Sequence, residues 1–200
     1  MSGTFPTSPK FNSINITSND PNIVTISTSG RRQVKSQMTQ FWTIDANLPT
    51  MKRSEWAPIA AFVKQQKGAT ESFQLTLPEY STTQGALTTQ SVTVNGIHAV
   101  GDTTITLAQG SLTLSNALKA GDFVTFSGHT KVYMVVEDFS LSSGAGTLTI
   151  EPPLISALAN AETLAYKDML FTVFLVNDQQ EWNMGLASTV GYEIEFREAI

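Results

Sequence analysis

The sequence predicts a mainly β protein with one short helix and a small inserted β-barrel. Three observations support this fold class. Apolar and polar residues alternate in several segments, one stretch has the three- and four-residue spacing of a helix, and turn signals recur at short intervals through the middle of the chain. Two hundred residues with 41% hydrophobic side chains are enough to bury an ordinary core.

The first third of the chain begins with a polar segment and continues as strands. Residues 1–13 are rich in Ser, Thr, Pro and Asn, which predicts an arm that is mobile alone and ordered against a neighbour. Asn22 to Thr28 alternates as a strand, and Ser29-Gly30 marks a turn. The next strand, Val34 to Asp45, has one face that is only partly apolar, which favours an interface or a long hairpin; that face holds Val34, Met38, Trp42 and Ile44.

Residues 53–66 are predicted to form the helix. Its apolar stripe is Trp56, Ile59, Ala60, Phe62 and Val63. We expect Pro58 in the first turn, where its missing N–H costs nothing. Lys64 and Lys67 suit the C-terminal end of the helix dipole, and Gly68 is expected at C′.

The remaining elements are strands, apart from one predicted helical turn within Ser111 to Ala120. Glu71 to Leu77 is a return strand, and residues 79–90 read as a polar connection. Met169 to Val176 is a strongly apolar strand, and Val190 to Arg197 alternates cleanly. Between them, the short strands with turn signals indicate a small barrel; they are Ser91–Val94, Thr103–Leu107, Asp122–Phe126, Lys131–Glu137, Thr147–Glu151 and Thr163–Tyr166.

The predicted organisation is therefore a discontinuous β domain carrying an insert. Residues 1–13 form the arm, residues 14–90 and 168–200 form the domain that contains the helix, and residues 91–167 form the inserted barrel. The middle segment differs from its flanks in having more glycine and shorter strands.

Bulk composition argues against several function classes. Only 14% of residues are charged, so polar uncharged side chains or partner proteins are expected to cover the surface. The net charge of −5 does not suit nucleic-acid binding, and the short basic clusters Arg31-Arg32 with Lys35 and Lys52-Arg53 are expected to be solvated. Without cysteine the chain has no thiolate chemistry and fits synthesis in a reducing cytoplasm. We expect neither a signal peptide nor a membrane-spanning segment, since Met169 to Val176 is too short to cross a bilayer.

Candidate reactive residues are few and carry no recognised pattern. Of the two histidines, His98 and His129, neither has a metal-binding or catalytic partner at a suitable spacing, and His129 is expected in a solvated turn. Glu193 and Glu195 fall on the outward face of the last strand, and Asp102 and Asp122 follow glycine in turns. The tryptophans, Trp42, Trp56 and Trp182, are spread over three elements and fit core or interface positions. We therefore expect no catalytic, cofactor-binding or metal-binding residues, and no enzyme.

Two blocks resemble phage distal tail and baseplate ring proteins. One runs from Gln40-Phe41-Trp42 through the helix to Gln66-Lys67-Gly68 and the strand Phe73 to Pro78. This block resembles the amino-terminal, tail-tube-like domain of those proteins. The other includes Leu118 to Val124, Gly128 to Tyr133 and Gly146 to Leu154, and it resembles the small OB-like barrel that tail-tip proteins carry.

The resemblance implies a structural virion protein made in the host cytoplasm. Copies would form a ring, usually hexameric, whose sheets run continuously around a lumen that DNA passes without specific binding. The ring would join the tail tube to the baseplate hub and carry fibre or receptor-binding components. Two alternatives stay open: another tail component, such as a tube or terminator subunit, and a carbohydrate-binding β module whose first test residues are Trp182 and Tyr133.

Overall fold

The chain folds as two compact units, the second inserted in the sequence of the first. The computed structural model describes residues 2–37, 39–185 and 189–200. Unit 1 comprises Met1–Gln74 and Thr172–Ile200, and unit 2 comprises Leu75–Phe171. The described residues are mainly strands, with one α-helix, α1 (Arg53–Gln65), and short 3-10 turns at Gly68–Thr70 and Pro78–Tyr80. The predicted mainly β fold class is confirmed.

The strands are numbered in chain order. They are β1 (Ser13–Asn19), β2 (Asn22–Ile26), β3 (Arg32–Ser36), β4 (Phe41–Lys52), β5 (Phe73–Thr76), β6 (Val92–Val94), β7 (Thr104–Ala108), β8 (Leu114–Leu118), β9 (Phe123–Phe126), β10 (Tyr133–Val135), β11 (Phe139–Leu141), β12 (Ala145–Glu151), β13 (Thr163–Ala165), β14 (Leu170–Leu175), β15 (Asn183–Met184) and β16 (Thr189–Glu198).

The main sheet has the order β1-β4-β16-β14-β5, with β15 paired to β16. Strand β1 pairs antiparallel with β4, and β4 with β16. The alternation predicted for the last strand is confirmed: Val190, Tyr192, Ile194 and Phe196 are buried, while Glu193 and Arg197 are exposed and Glu195 is half-buried. One face of the sheet is therefore apolar and covered, and the other is polar.

Helix α1 supplies part of that cover. Trp56, Ile59 and Val63 are buried at helical spacing, and Phe62 is half-buried. At the start of the helix the Lys52 N–H donates to the Glu55 carboxylate at 2.9 Å, which satisfies a backbone donor that the helix leaves free.

Two details of the helix correct the sequence prediction. Pro58 is the sixth helical residue and lies beyond the first turn, so the Ser54 carbonyl loses its intrahelical donor. Pro58 and Ser54 are exposed, so water can take that place. The left-handed residue that ends the helix is Lys67, at φ 56°, and Gly68 follows it at φ 68°.

The N-terminal segment, predicted to be a mobile arm, packs into unit 1. The Phe5 N–H donates to the Gln74 carbonyl at 2.8 Å, and the Gln74 N–H donates to the Gly3 carbonyl at 2.9 Å. Residues 2–5 thus extend the sheet beside β5. The Phe5 ring is 2% exposed and contacts Phe62, Phe73 and Phe196 at centroid distances of 5.7, 6.3 and 5.4 Å. The polar composition of the segment did not predict this packing, because the packing depends on the aromatic side chain of Phe5.

Unit 2 contains the closed barrel, in the order β10-β12-β7-β6-β13-β9. These are the six short strands that the turn spacing indicated. The predicted helical turn at Ser111 to Ala120 is wrong, because β8 occupies that stretch and pairs with β11. Ala117 and Leu118 are both buried at the end of this strand, and Asn116 before them is exposed.

Unit 2 begins earlier than residue 91. Residues 79–90 lack regular strands but pack on the barrel unit, where Leu87 is 1% exposed. The Leu87 N–H donates to the Ala117 carbonyl at 3.0 Å. The buried Asp122 carboxylate accepts from the Gln84 and Lys119 N–H groups, both at 2.9 Å. Hydrogen bonds, rather than an apolar pattern, tie this polar connection to unit 2.

We predict that Phe5→Ala destabilises unit 1 by about 3–5 kcal/mol, because it leaves a cavity among packed aromatic rings. The free energy of unfolding in urea measures the loss. Ile97→Ala, at a side chain that is 83% exposed in unit 2, is the control and should change stability by about 0.5 kcal/mol or less. A loss below about 1 kcal/mol for Phe5→Ala would show that residues 2–5 are not docked.

A second prediction concerns alkaline pH. Tyr192 packs 4.5 Å from Trp56 between ring centroids, and burial raises the pKa of its phenol above the ordinary value of 10.0. The stability from this shift is present below pH 10.0 and falls as the pH rises above it, because the unfolded chain then releases the proton that folded Tyr192 keeps. Urea unfolding from pH 8 to 11 should show the decline, and Tyr192→Phe should remove that part of it. Equal slopes in both proteins would contradict the assignment.

Candidate functional site

The paired glutamates on the last strand do not form a reactive centre. Glu195 lies directly opposite Asp45, and Glu193 lies opposite Asn47. The Asn47 amide donates to Glu193 at 3.3 Å, and the Asn15 amide donates to Asp45 at 3.4 Å. All of these side chains lie on the polar face of the main sheet, along an open groove of about 570 Å³. A glycosidase acid needs an apolar, desolvating pocket, which this face does not provide.

Both histidines have structural contacts. The Nε2 of His98 accepts from the Thr106 N–H at 3.2 Å, and its Nδ1 lies 3.7 Å from an Asp102 carboxylate oxygen. His129, expected to be solvated, has a side chain only 8% exposed, with Nε2 3.6 Å from a Glu162 oxygen. Turn composition placed His129 in the correct loop but could not show that the loop folds onto the barrel.

The two aspartates act as turn residues, as predicted. Asp102 accepts from the Ala99 N–H at 2.9 Å and closes the loop before β7. Asp122 closes the turn before β9. Among the described residues there is no group of three or more His, Cys, Asp or Glu side chains that could hold a metal ion. Within the same residues, no helix has the length and apolarity to cross a bilayer.

The residues proposed to test sugar binding do not form a platform. Tyr133 is fully buried, and its hydroxyl accepts from the Ile155 N–H at 3.3 Å, so no ligand can stack on it. Trp182 is 41% exposed, but one side packs on Trp56 with centroids 5.7 Å apart. Trp42 and Trp56 are buried, as expected for core positions. Sequence reasoning could not show that Tyr133 points into the barrel, because the two faces of an alternating strand cannot be assigned from that strand alone.

The edges of the main sheet differ from each other. Strand β1 is the terminal strand on one side, and its seven residues contain no charge and no proline. On the other side, β5 is covered by residues 2–5. An uncharged edge of this length is a template for a strand from another chain, since natural monomers protect such edges with charges, prolines or bulges.

Strands β2 and β3 form a separate hairpin that continues the β1–β4 ladder. Their residues pair from Asn22 with Ser36 to Ile26 with Arg32, and all ten are exposed. The predicted turn at Ser29-Gly30 is confirmed by the bond from the Gly30 N–H to the Ser27 carbonyl at 2.9 Å. Val34 is exposed although its predicted face-mates Trp42 and Ile44 are buried, and Met38 lies outside the described residues. The segment Val34 to Asp45, predicted to lie in an interface or a long hairpin, is thus divided between the exposed hairpin strand β3 and strand β4 of the main sheet.

Comparison with known proteins accounts for both units. Residues 4–80 match the family model described as distal tail protein pb9, A domain, N-terminal, and residues 80–169 match the one described as distal tail protein pb9, B domain. The chain is 28% identical over 167 residues to distal tail protein pb9 of Escherichia phage T5, covering 84% of this chain and 80% of that protein. With both domain models matched in order, the chain belongs to the phage distal tail protein family.

Proposed function

We propose that copies of this chain close into one hexameric ring at the distal end of the tail. As a distal tail family member, the chain is a structural protein of the phage tail and acts among other tail components. The ring joins the tail tube to the baseplate hub and carries the fibre or receptor-binding components. The chain is made in the host cytoplasm and enters the virion on tail assembly.

The open β1 edge is the observation that carries this proposal. Another copy can add a strand at this open edge. We infer that the added strand comes from a different surface of that copy, which makes the contact heterologous, because pairing of two β1 edges would give only a two-fold dimer. Heterologous contacts that close make rings. The size of six comes from the resemblance to baseplate ring proteins.

The polar face of the main sheet suits the wall of a DNA conduit. Asp45, Glu193 and Glu195 give that face a negative charge, and Arg197 is occupied by its contact with the Phe41 ring at 3.7 Å. A wall of this sign repels passing phosphates and avoids the cation contacts that hold DNA on a protein. We assign this face to the lumen of the ring.

The two units have different roles in this proposal, because their strand edges differ. In unit 2 the six barrel strands close on one another and leave no open edge in the barrel. Unit 1 therefore makes the ring, and unit 2 serves as a module for other tail components.

Each tail should contain the number of copies that one hexameric ring holds. Quantitative mass spectrometry of purified tails measures the copy number, and cryo-electron microscopy of their distal ends shows the position of the ring. Many stacked rings along the tail would instead identify a tube subunit, and a chain absent from tails would refute the proposal.

Lysine on the open edge should prevent assembly without unfolding the chain. In Asn15→Lys/Thr17→Lys both new side chains lie on exposed β1 positions, where lysine opposes strand addition. Thr104→Lys is the control, because Thr104 is an exposed residue of β7, one of the strands of the closed barrel. For the double variant, incorporation into tails should fall roughly tenfold or more, which corresponds to a loss of about 1.4 kcal/mol or more in binding free energy. Incorporation of the control should stay unchanged. Normal incorporation of a folded double variant would contradict the use of this edge.

A further inference from the structure

Two loops at one end of the barrel in unit 2 expose apolar side chains. They are residues 95–103, between β6 and β7, and residues 152–162, between β12 and β13. Ile97 is 83% exposed and Val100 is 62% exposed, the highest values among the large apolar side chains of unit 2. Apolar side chains that cluster on a surface mark a contact site.

The two loops pair with each other, and the pairing determines which side chains point outward. The His98 N–H donates to the Leu158 carbonyl at 3.1 Å, and the Leu158 N–H donates to the His98 carbonyl at 3.0 Å. Leu158 is buried, and side chains alternate along paired segments, so the neighbours of His98 and Leu158 lie on the outward face. All four neighbours are apolar and exposed; they are Ile97, Ala99, Ala157 and Ala159. We call these four side chains and Val100 the loop face.

Further hydrogen bonds hold the loop face in one conformation. The Gly101 N–H donates to the Leu154 carbonyl at 2.8 Å, and the Gly96 N–H donates to the Asn160 side-chain oxygen at 2.8 Å. Apolar side chains on a backbone held in this way lose little conformational freedom when a partner binds. The loop face is therefore preorganised for contact.

Carboxylates border the loop face. Asp102 and Glu162 lie in the two loops, and the bond from the Ile150 N–H to the Thr103 carbonyl, at 2.9 Å, places Glu151 beside the first loop. Neither loop contains a lysine or an arginine. Unit 2 has eight acidic and three basic residues, a net charge of −5, so a second copy of unit 2 is repelled. The complementary partner has an apolar pocket bordered by lysine or arginine.

We propose that the loop face binds a different protein of the tail, with Ile97 and Val100 in an apolar pocket and lysine or arginine of that protein facing the carboxylates. The inference rests on the proposed function and deepens it, because it names the surface through which unit 2 holds another tail component. The apolar contact supplies most of the binding free energy, and the charges favour a basic partner over an acidic one.

Site-specific crosslinking in purified tails tests the contact. The chain has no cysteine, so Ser156→Cys, at an exposed residue beside the loop face, can carry a single benzophenone label. Irradiation should join the 21.7 kDa chain to a different tail protein, which mass spectrometry of the adduct identifies. Ser111→Cys is the matched control: this exposed serine follows the opposite end of β7, a five-residue strand that spans about 17 Å. Its yield of that adduct should be at least about tenfold lower.

Loss of the two apolar side chains should weaken the contact without unfolding unit 2. Adding Ile97→Ala/Val100→Ala to Ser156→Cys should lower the adduct yield roughly tenfold or more. Val136→Ala/Leu170→Ala is the control, at two other apolar side chains of unit 2, 39% and 38% exposed, and should leave the yield unchanged. Urea unfolding of each purified variant checks that its stability is unchanged.

A charge test examines the chemistry of the partner. Asp102→Asn/Glu151→Gln keeps the side-chain acceptors and removes two charges, and it should lower the adduct yield about threefold or more. Glu79→Gln/Asp168→Asn removes the same charge at two exposed carboxylates near the ends of unit 2 and should have no effect. An unchanged yield for the first pair would contradict the basic partner.

The inference is wrong if tails that contain the labelled chain give no adduct at residue 156, equal yields from residues 156 and 111, or an adduct mainly with a second copy of this chain. An unchanged yield for Ile97→Ala/Val100→Ala would also exclude the loop face. These results leave the proposed ring intact. A residue-156 adduct in tails whose copy number differs from one ring would refute the ring and support the loop face, and a chain missing from tails would refute both.

Discussion

The difference between the two edges of the main sheet is the constraint on which the account of this protein depends. Residues 2–5 cover β5, and the buried Phe5 ring fixes them there. The β1 edge has no such cover and no charge. A backbone edge left open must bind water or another strand, so a second chain can join the sheet at β1. The ring we propose uses this edge and requires no reactive side chain.

The charge of the polar face of the main sheet agrees with the assembly that we propose. Carboxylates of β4 and β16 lie on that face. Asp45 and Glu195 oppose each other directly, which costs stability in an isolated sheet. A protein that keeps such a pair gains a surface of net negative charge, and that surface suits the DNA channel that we propose.

The sequence predicted those elements whose signal is local. Alternation identified β16 and its buried side chains, helical spacing identified α1, and turn signals located the six barrel strands. Contacts between distant residues gave no local signal. Phe5 anchors a polar segment, Asp122 ties residues 83–84 to the barrel unit, and both His129 and Tyr133 are buried by strands far from them in the chain. Pro58 was placed in the first turn because proline is favoured there, although a helix that begins at residue 53 puts Pro58 beyond its first turn.

Hydrogen–deuterium exchange of the β1 amides tests the central claim most directly. In the free chain, half of the amides of an edge strand face solvent and exchange readily. If copies complete their sheets with one another, the Ser13–Asn19 amides become protected in assembled tails, while those of Thr104–Ala108 in the closed barrel keep the protection they already have. Exchange of Ser13–Asn19 at the same rate in free chain and assembled tails would contradict the account.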